Sequence, residues 1–164
     1  MSHPIHPQTR IGHVHLKVAD LDRAVAFYSG VLGFDVMQRS DSAAFLSAGG
    51  YHHHIGLNTW ESKGGTPPPK GHTGLYHTAF LYPDRASLGD AVRRMLEAGI
   101  AIEGAADHGV SEAIYFDDPD GNGVEIYRDR APEDWPRAAD GSLAMINAKL
   151  DLDALFAEAT AANI

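Results

Sequence analysis

An internal repeat is the feature that most constrains what this chain can fold into. His13 opens an apolar run seven residues before Asp20, and His77 stands in the same relation to Asp84. The register recurs after sixty-four residues, which is the mark of a duplicated structural unit. Because 164 residues suffice for one compact domain and are few for two, we predict that both repeats build a single domain, residues 1–164.

The first copy, about residues 11–60, has the pattern of a βαβββ module. Alternating apolar residues predict a strand over residues 11–18, and Asp20 is placed to cap a helix that ends at Gly33. Apolar runs separated by turn residues predict three further strands, over residues 34–38, 43–47 and 52–59. A proline-rich linker, residues 61–75, then favours an extended connection to the second copy.

The second copy, about residues 76–130, repeats this order. A helix is predicted over residues 87–98, and strands over residues 77–81, 100–103, 112–117 and 124–127. The fold class is therefore α+β: two βαβββ modules form a curved, partly open, eight-stranded mixed-sheet barrel around a metal-binding cleft. The tail, residues 131–164, ends in an amphipathic segment that predicts a helix packed against a neighbour or over a cavity mouth.

Charge and cysteine content exclude several classes of function. Lys and Arg number 13 against 22 Asp and Glu, a net charge of −9, so neither nucleic acid nor an anionic membrane is an expected partner. The absence of cysteine removes thiolate nucleophiles and thiolate metal sites, which leaves His, Asp and Glu as metal ligands. No apolar run is long enough to span a bilayer, and we expect a cytoplasmic protein.

The repeat also nominates a set of metal ligands. When the last strands of the two copies are superposed, Glu125 falls on Gly56. A carboxylate between apolar neighbours on a strand needs a cation or hydrogen bonds to compensate its burial. The first-strand histidines His13 and His77 are suitable companions, since the two units bring their first and last strands into one cleft. Two imidazoles and one carboxylate form the facial set used by divalent iron or manganese.

The motif over residues 13–34, His-x6-Asp-Leu-x2-Ala-x2-Phe-Tyr-x3-Leu-Gly-Phe, resembles the first module of the vicinal oxygen chelate superfamily. That superfamily includes glyoxalases, bleomycin-resistance proteins and extradiol ring-cleaving dioxygenases. Residues 118–127 resemble its closing motif, with Glu125 as the metal-binding glutamate. The resemblance covers roughly residues 11–130.

Within this resemblance the extradiol dioxygenases fit best. Glyoxalases of the superfamily use four protein ligands, and Gly56 stands where the fourth is expected, whereas bleomycin-binding members lack the ligand set that His13, His77 and Glu125 provide. The resemblance therefore implies catechol 2,3-dioxygenase-like cleavage of a small aromatic substrate by dioxygen. It further implies Fe(II) as cofactor, with Mn(II) as the alternative, and a homodimer.

The resemblance also implies the catalytic groups. His53 matches the acid-base histidine, provided that a bulge or strand end lies near it, and His54 is held in reserve. His108 and Tyr115 match a second-sphere histidine and a tyrosine, the tyrosine lying ten residues before Glu125. His15 has no histidine counterpart in the second copy and is interpreted as a second-sphere or packing residue.

Two other functions stay open at this point. One is a glyoxalase-like, metal-dependent isomerase or lyase, in which a solvent molecule replaces the missing ligand at Gly56. The other is a non-catalytic protein that sequesters a flat ligand. Dioxygen uptake separates the first alternative from ring cleavage, and ligand affinity of the metal-free protein separates the second.

Overall fold

Each of the two repeated aspartates caps a helix. In a computed structural model, which describes residues 3–162, the carboxylates of Asp20 and Asp84 accept a hydrogen bond from the backbone N–H three residues further on, at 3.0 and 2.7 Å. Gly33 and Gly99 stand just beyond the two helices with φ of 88° and 74°. Such positive φ values suit glycine after a helix end. The sequence repeat therefore corresponds to a repeated helix start and stop.

The first compact unit, residues 1–66, contains one four-stranded mixed sheet. Its strands are β1 (Val14–Lys17), β2 (Asp35–Arg39), β3 (Ala43–Ser47) and β4 (Ile55–Asn58). They lie in the order β1-β4-β3-β2, with β1 and β4 parallel and the other neighbours antiparallel. The helix differs from the prediction, because α1 (Leu21–Val25) continues as a π-helical turn (Ala26–Val31).

The second compact unit, residues 67–164, contains a five-stranded mixed sheet and two longer helices. Its strands are β5 (Thr78–Leu81), β6 (Gly104–Asp107), β7 (Ser111–Asp117), β8 (Gly123–Asp129) and β9 (Ala148–Lys149). They lie in the order β5-β8-β7-β6-β9, and β5 and β8 are parallel. The helices are α2 (Arg85–Glu97) and α3 (Leu152–Ala162), with a short 3₁₀ turn (Pro132–Asp134) between β8 and β9.

The α+β class is confirmed, with the strands arranged in two mixed sheets, but the strand assignment needs two corrections. The strand predicted over residues 100–103 is wrong, since β6 begins at Gly104. Gly104 to Asp107 are small or acidic residues of low strand propensity, and their pairing with β7 overrides that propensity. The second correction is β9, which pairs with β6 and brings the strands of residues 3–162 to nine rather than eight.

The tail helix α3 is present, and it packs on α2 of its own unit. Leu155 and Ala159 are buried there, and the approach is so close that a Cβ on Gly89 of α2 would lie 2.8 Å from the Leu155 carbonyl oxygen. The predicted tail helix is therefore confirmed and lies on α2, whereas its packing against a neighbour or over a cavity mouth stays a prediction. Within residues 3–162 no helix has the length and apolar character of a membrane span.

A buried carboxylate joins the sheet and helices of the second unit. The Glu112 side chain on β7 is 4% exposed and accepts hydrogen bonds from Arg85 at 2.9 Å, Arg128 at 2.8 Å and Arg130 at 3.3 Å. Arg85 also pairs with Glu158 on α3. Burial of a carboxylate is tolerated because several cationic donors compensate the lost hydration. This cluster fixes α2, α3, β7 and β8 to one another.

Candidate metal centre

The parallel pair of β5 and β8 brings His77 and Glu125 together. Ala79 pairs with Glu125 in the register of these strands, and His77 directly precedes β5. The His77 Nε2 atom lies 2.8 Å from the Glu125 Oε2 atom. The Glu125 side chain is only 12% exposed, so its charge needs a compensating partner in the site.

The chemistry of this pair fits a divalent transition metal. An imidazole nitrogen and a carboxylate oxygen suit iron, manganese or zinc, and two ligands each about 2.1 Å from one ion at right angles are about 3 Å apart. The Nδ1 atom of His77 is buried and accepts or donates no hydrogen bond within residues 3–162. Among residues 3–162, no three His, Asp or Glu side chains of one unit lie close enough together to hold a metal ion. His77 and Glu125 therefore offer two donor atoms of the kind that such a metal binds, and a metal site here would need further donors.

Tyr115 and His108 extend the pair into a chain of hydrogen bonds. The Tyr115 hydroxyl donates to Glu125 Oε1 at 3.3 Å and lies 2.9 Å from His108 Nε2. Loss of solvation, followed by the charge of Glu125, raises the pKa of Tyr115 to about 12. Tyr115 is therefore a neutral donor throughout the physiological range.

A cleft of about 410 Å³ opens beside this chain of contacts within the second unit. His77 and Tyr115 line it together with Tyr76, Leu75 and other residues near the start of β8. Polar groups thus face one side of a space that also presents aromatic and aliphatic surface, as small-molecule sites do.

In the first unit His13 lies beside His53. Their ring centroids are 4.4 Å apart, and the His53 ring also packs edge-on against Phe45 at 5.1 Å. Loss of solvation lowers the pKa of His53, and the neighbouring imidazole of His13 lowers it further. A lowered pKa keeps the ring neutral, which is the state of a proton acceptor.

The strand end that the His53 assignment requires is present. β4 begins at Ile55, so His53 and His54 precede the strand and are not bound to strict alternation. The His54 Nδ1 atom lies 3.1 Å from the Ser47 hydroxyl and accepts from the Ala48 N–H at 3.3 Å. His54 is therefore engaged by β3, whereas His53 contacts the predicted ligand His13.

The superposition of the two last strands is confirmed by the strand registers. His15 pairs with Gly56 in the first unit as Ala79 pairs with Glu125 in the second. A Cβ at Gly56 would lie 2.9 Å from the His15 ring. The ring of His15 therefore covers the position from which the second unit extends its carboxylate, and it packs against Trp60 at 5.4 Å. This agrees with the interpretation of His15 as packing.

The structure thus joins four of the predicted site residues in the second unit, His77, Glu125, Tyr115 and His108. It joins His13 and His53 in the first, and the complete ligand set with His13 stays a prediction. Sequence reasoning missed Ile146, whose carbonyl lies 3.2 Å from His108 Nδ1. No local signal marks such a contact, because a backbone carbonyl of an irregular tail carries no pattern.

Comparison with known proteins assigns the family. The model of the Glyoxalase/Bleomycin resistance protein/Dioxygenase superfamily matches residues 10–126, and the chain belongs to this superfamily. A crystal structure of a glyoxalase/dioxygenase from Nostoc punctiforme has the same fold, with a TM-score of 0.65 and 23% identity over 80% of this chain and 99% of that one.

Two curated relatives are dioxygenases. Catechol-2,3-dioxygenase of Bacillus subtilis (strain 168) is 43% identical over 155 residues, covering 94% of this chain and 54% of the relative. Biphenyl-2,3-diol 1,2-dioxygenase 3 of Rhodococcus globerulus is 33% identical over 122 residues, covering 73% of this chain and 63% of the relative. The chain therefore spans a little over half to under two thirds of these relatives.

Proposed function

We propose that this protein is an Fe(II)-dependent extradiol dioxygenase that cleaves a catecholic ring beside its two hydroxyl groups. The observation that carries the proposal is the approach of His77 Nε2 and Glu125 Oε2 to 2.8 Å, with the Tyr115 hydroxyl on the same carboxylate. The 43% identity to a catechol-2,3-dioxygenase supports the choice of reaction.

In this proposal His13, His77 and Glu125 would hold the metal. Two neutral imidazoles and one carboxylate leave one positive charge of a divalent ion uncompensated, which favours an anionic substrate. When bound, the ferrous ion lowers the pKa of a coordinated phenol and supplies the redox chemistry that dioxygen requires.

The remaining residues manage protons. His53 accepts the proton of a substrate hydroxyl, since its lowered pKa keeps the ring neutral. The Tyr115 hydroxyl, whose pKa is raised to about 12, keeps its single proton, and this hydrogen bond turns from its resting acceptor to charge that develops on oxygen during the reaction. His108 positions that hydroxyl through its 2.9 Å contact. Both atoms of dioxygen enter the product, which is a ring-opened semialdehyde.

The test is anaerobic loading with Fe(II), followed by air and a panel of catechols. We expect dioxygen uptake equal to the yellow product formed, and loss of both in His77→Ala. The control is His72→Ala, because His72 is exposed and bonds only the Pro69 carbonyl among the contacts described over residues 3–162. Full iron occupancy with no dioxygen uptake on any catechol would refute ring cleavage.

Other outcomes of the same experiment identify the alternatives. Turnover of a hemithioacetal with nickel or zinc, without dioxygen uptake, would instead indicate the glyoxalase-like isomerase. Ligand affinity unchanged by metal removal would indicate a sequestering protein. The proposed homodimer is checked separately by light scattering, where a mass near the 17.6 kDa of one chain would contradict it.

A further inference from the structure

The tail segment between the 3₁₀ turn and α3 holds His108 in place. We name residues 135–149 the strap. The Ile146 N–H donates to the His108 carbonyl at 3.0 Å, and the Ile146 carbonyl lies 3.2 Å from His108 Nδ1. The same residue of the strap thus contacts both the backbone and the ring of His108.

These contacts define which ring nitrogen carries the proton. A carbonyl oxygen only accepts hydrogen bonds, so the Nδ1 atom facing Ile146 must be the protonated nitrogen. In the neutral ring the other nitrogen, Nε2, is then an acceptor. This acceptor lies 2.9 Å from the Tyr115 hydroxyl, which has one proton and two possible acceptors, His108 Nε2 and Glu125 Oε1. The tautomer of His108 therefore decides how Tyr115 directs its proton.

We propose that the strap is a positioning element for the site: the Ile146 carbonyl fixes the Nδ1–H tautomer of His108, which presents Nε2 as an acceptor to Tyr115. The assignment of the tautomer stands on geometry alone. Its consequence for turnover rests on the proposed dioxygenase function.

The strap is anchored on both sides of this contact. Trp135 donates its indole N–H to the Arg130 carbonyl at 2.8 Å, and β9 pairs with β6, Asp107 opposite Ala148. Gly109 allows the close approach, since a Cβ there would lie 2.8 Å from Pro136 Cγ and 3.2 Å from Ile146 Cγ1. The backbone hydrogen bonds between β6 and β9 would hold the strap with any residue at position 108. The contact of the Ile146 carbonyl with the His108 ring does more, because it also orients the Nε2 atom.

The chain offers a matched pair of variants. Gly109 and Gly99 have nearly equal positive φ, 75° and 74°, so Gly109→Ala and Gly99→Ala both place a side chain in the left-handed region. Space around Gly99 is open within 4 Å, whereas a methyl group at Gly109 pushes against the strap. Trp135→Phe is a milder second variant, because it removes one anchor and keeps an aromatic ring.

The decisive measurement is nitrogen NMR of histidine-labelled, metal-free protein at a pH where the ring is neutral. The signals of His108, one of ten histidines, are assigned by their loss in His108→Asn. We expect Nδ1–H in the native chain and in Gly99→Ala, and a mixture of tautomers in Gly109→Ala.

After iron loading, we expect kcat of Gly109→Ala to fall about 10- to 100-fold, the range for residues that orient a ligand or catalyst, with KM nearly unchanged. Trp135→Phe should change both readouts in the same direction by less.

An Nε2–H tautomer of His108 in the native chain would overturn the inference, whatever the enzyme does. Mixed tautomers with an unchanged kcat would overturn its catalytic half. A chain that cleaves no catechol yet shows Nδ1–H contradicts the proposed function and leaves the tautomer assignment standing. If Gly109→Ala does not fold, the native spectrum and Trp135→Phe decide the same question.

Discussion

The two units share a strand register and differ in what faces the last strand. In the first unit Gly56 leaves room for the ring of His15, whereas in the second Ala79 leaves room for the carboxylate of Glu125. In both units a small residue on one strand pairs with a large polar residue on the neighbouring strand. The large residue lies on the first strand in the first unit and on the last strand in the second. The duplicated scaffold conserves backbone pairing, and the exchange of one small and one large residue decides which unit carries a charge.

The units also differ in where they place ion pairs. The first unit has pairs at its surface, such as Lys17 with Glu61 at 3.6 Å, where both side chains are mostly exposed. The second unit buries Glu112 among three arginines. Exposed pairs contribute little to stability, whereas removal of one partner from a buried set is strongly destabilising. We therefore expect substitutions of charged residues to act very unequally on the two units.

The largest effect is expected for Glu112→Gln. Loss of this carboxylate leaves Arg85, Arg128 and Arg130 partly buried without their shared acceptor, and should lower the free energy of unfolding by about 3–5 kcal/mol. Asp22→Asn, which breaks an exposed pair with Arg39 in the first unit, should cost less than about 1 kcal/mol. Urea denaturation measures both. Equal losses in the two variants would erase the proposed contrast.

The second largest effect is expected for Glu125→Gln, which should lower the affinity for Fe(II) rather than the free energy of unfolding. Substitutions of residues that only hydrogen-bond to a metal ligand weaken metal binding by up to about 100-fold. Because Glu125 is itself a proposed ligand, loss of its charge should weaken Fe(II) binding by at least about 100-fold. Glu61→Gln changes the same residue type in the first unit, at an exposed pair, and should leave affinity within about two-fold. Anaerobic Fe(II) titration compares them. Undiminished affinity in Glu125→Gln would remove this residue from the metal site.

Gly56→Ala tests the exchanged pair directly. The added methyl group would lie 2.9 Å from the His15 ring, and because that ring is at the surface and can turn, the cost should be near about 1 kcal/mol. In a His15→Ala background the cost should vanish, as a double-mutant cycle reveals. Gly30→Ala, with open space around it, is the control. Additive effects of Gly56→Ala and His15→Ala would show that the two positions do not share this space.

The smallest effect concerns alkaline pH. Burial raises the pKa of Tyr115 to about 12, above the value of about 10 in an unfolded chain. Any stability this group contributes is complete below pH 10 and is lost as pH rises through the folded pKa. Burial also raises the pKa values of Tyr82 and Tyr127, so absorbance titration should show several late tyrosine ionisations. One of them, near pH 12, should be lost in Tyr115→Phe and kept in Tyr51→Phe. An unchanged late absorbance change in Tyr115→Phe would contradict the assignment.

Much of this architecture was predictable because its signals are local. The helix caps at Asp20 and Asp84 act over three residues, and the equivalence of Gly56 and Glu125 follows from a register that both copies share. The approach of His77 to Glu125 then follows from parallel pairing of the first and last strands of one copy.

Two of the features that sequence reasoning missed depend on distant partners, and a third on a local difference that is too small to detect. β6 forms from small residues because β7 and β9 flank it, and neither neighbour leaves a mark on residues 104–107. The contact of His108 with Ile146 spans thirty-eight positions and uses a backbone atom. The π-helical turn after α1 was missed for a local reason. The spacing of apolar residues in a π-helix is close to that in an α-helix, and six residues are too few to tell the two apart.

The packing of α3 on Gly89 has a practical meaning for anyone who engineers this chain. The segment that matches the superfamily ends at residue 126, yet the face of α2 that carries Gly89 lies against a helix that begins twenty-six positions later. A fragment cut at the homology boundary would expose that face to water and invite aggregation. A fragment of the second unit that keeps this packing therefore extends well past the matched segment, and fusion partners belong beyond α3 rather than in its place.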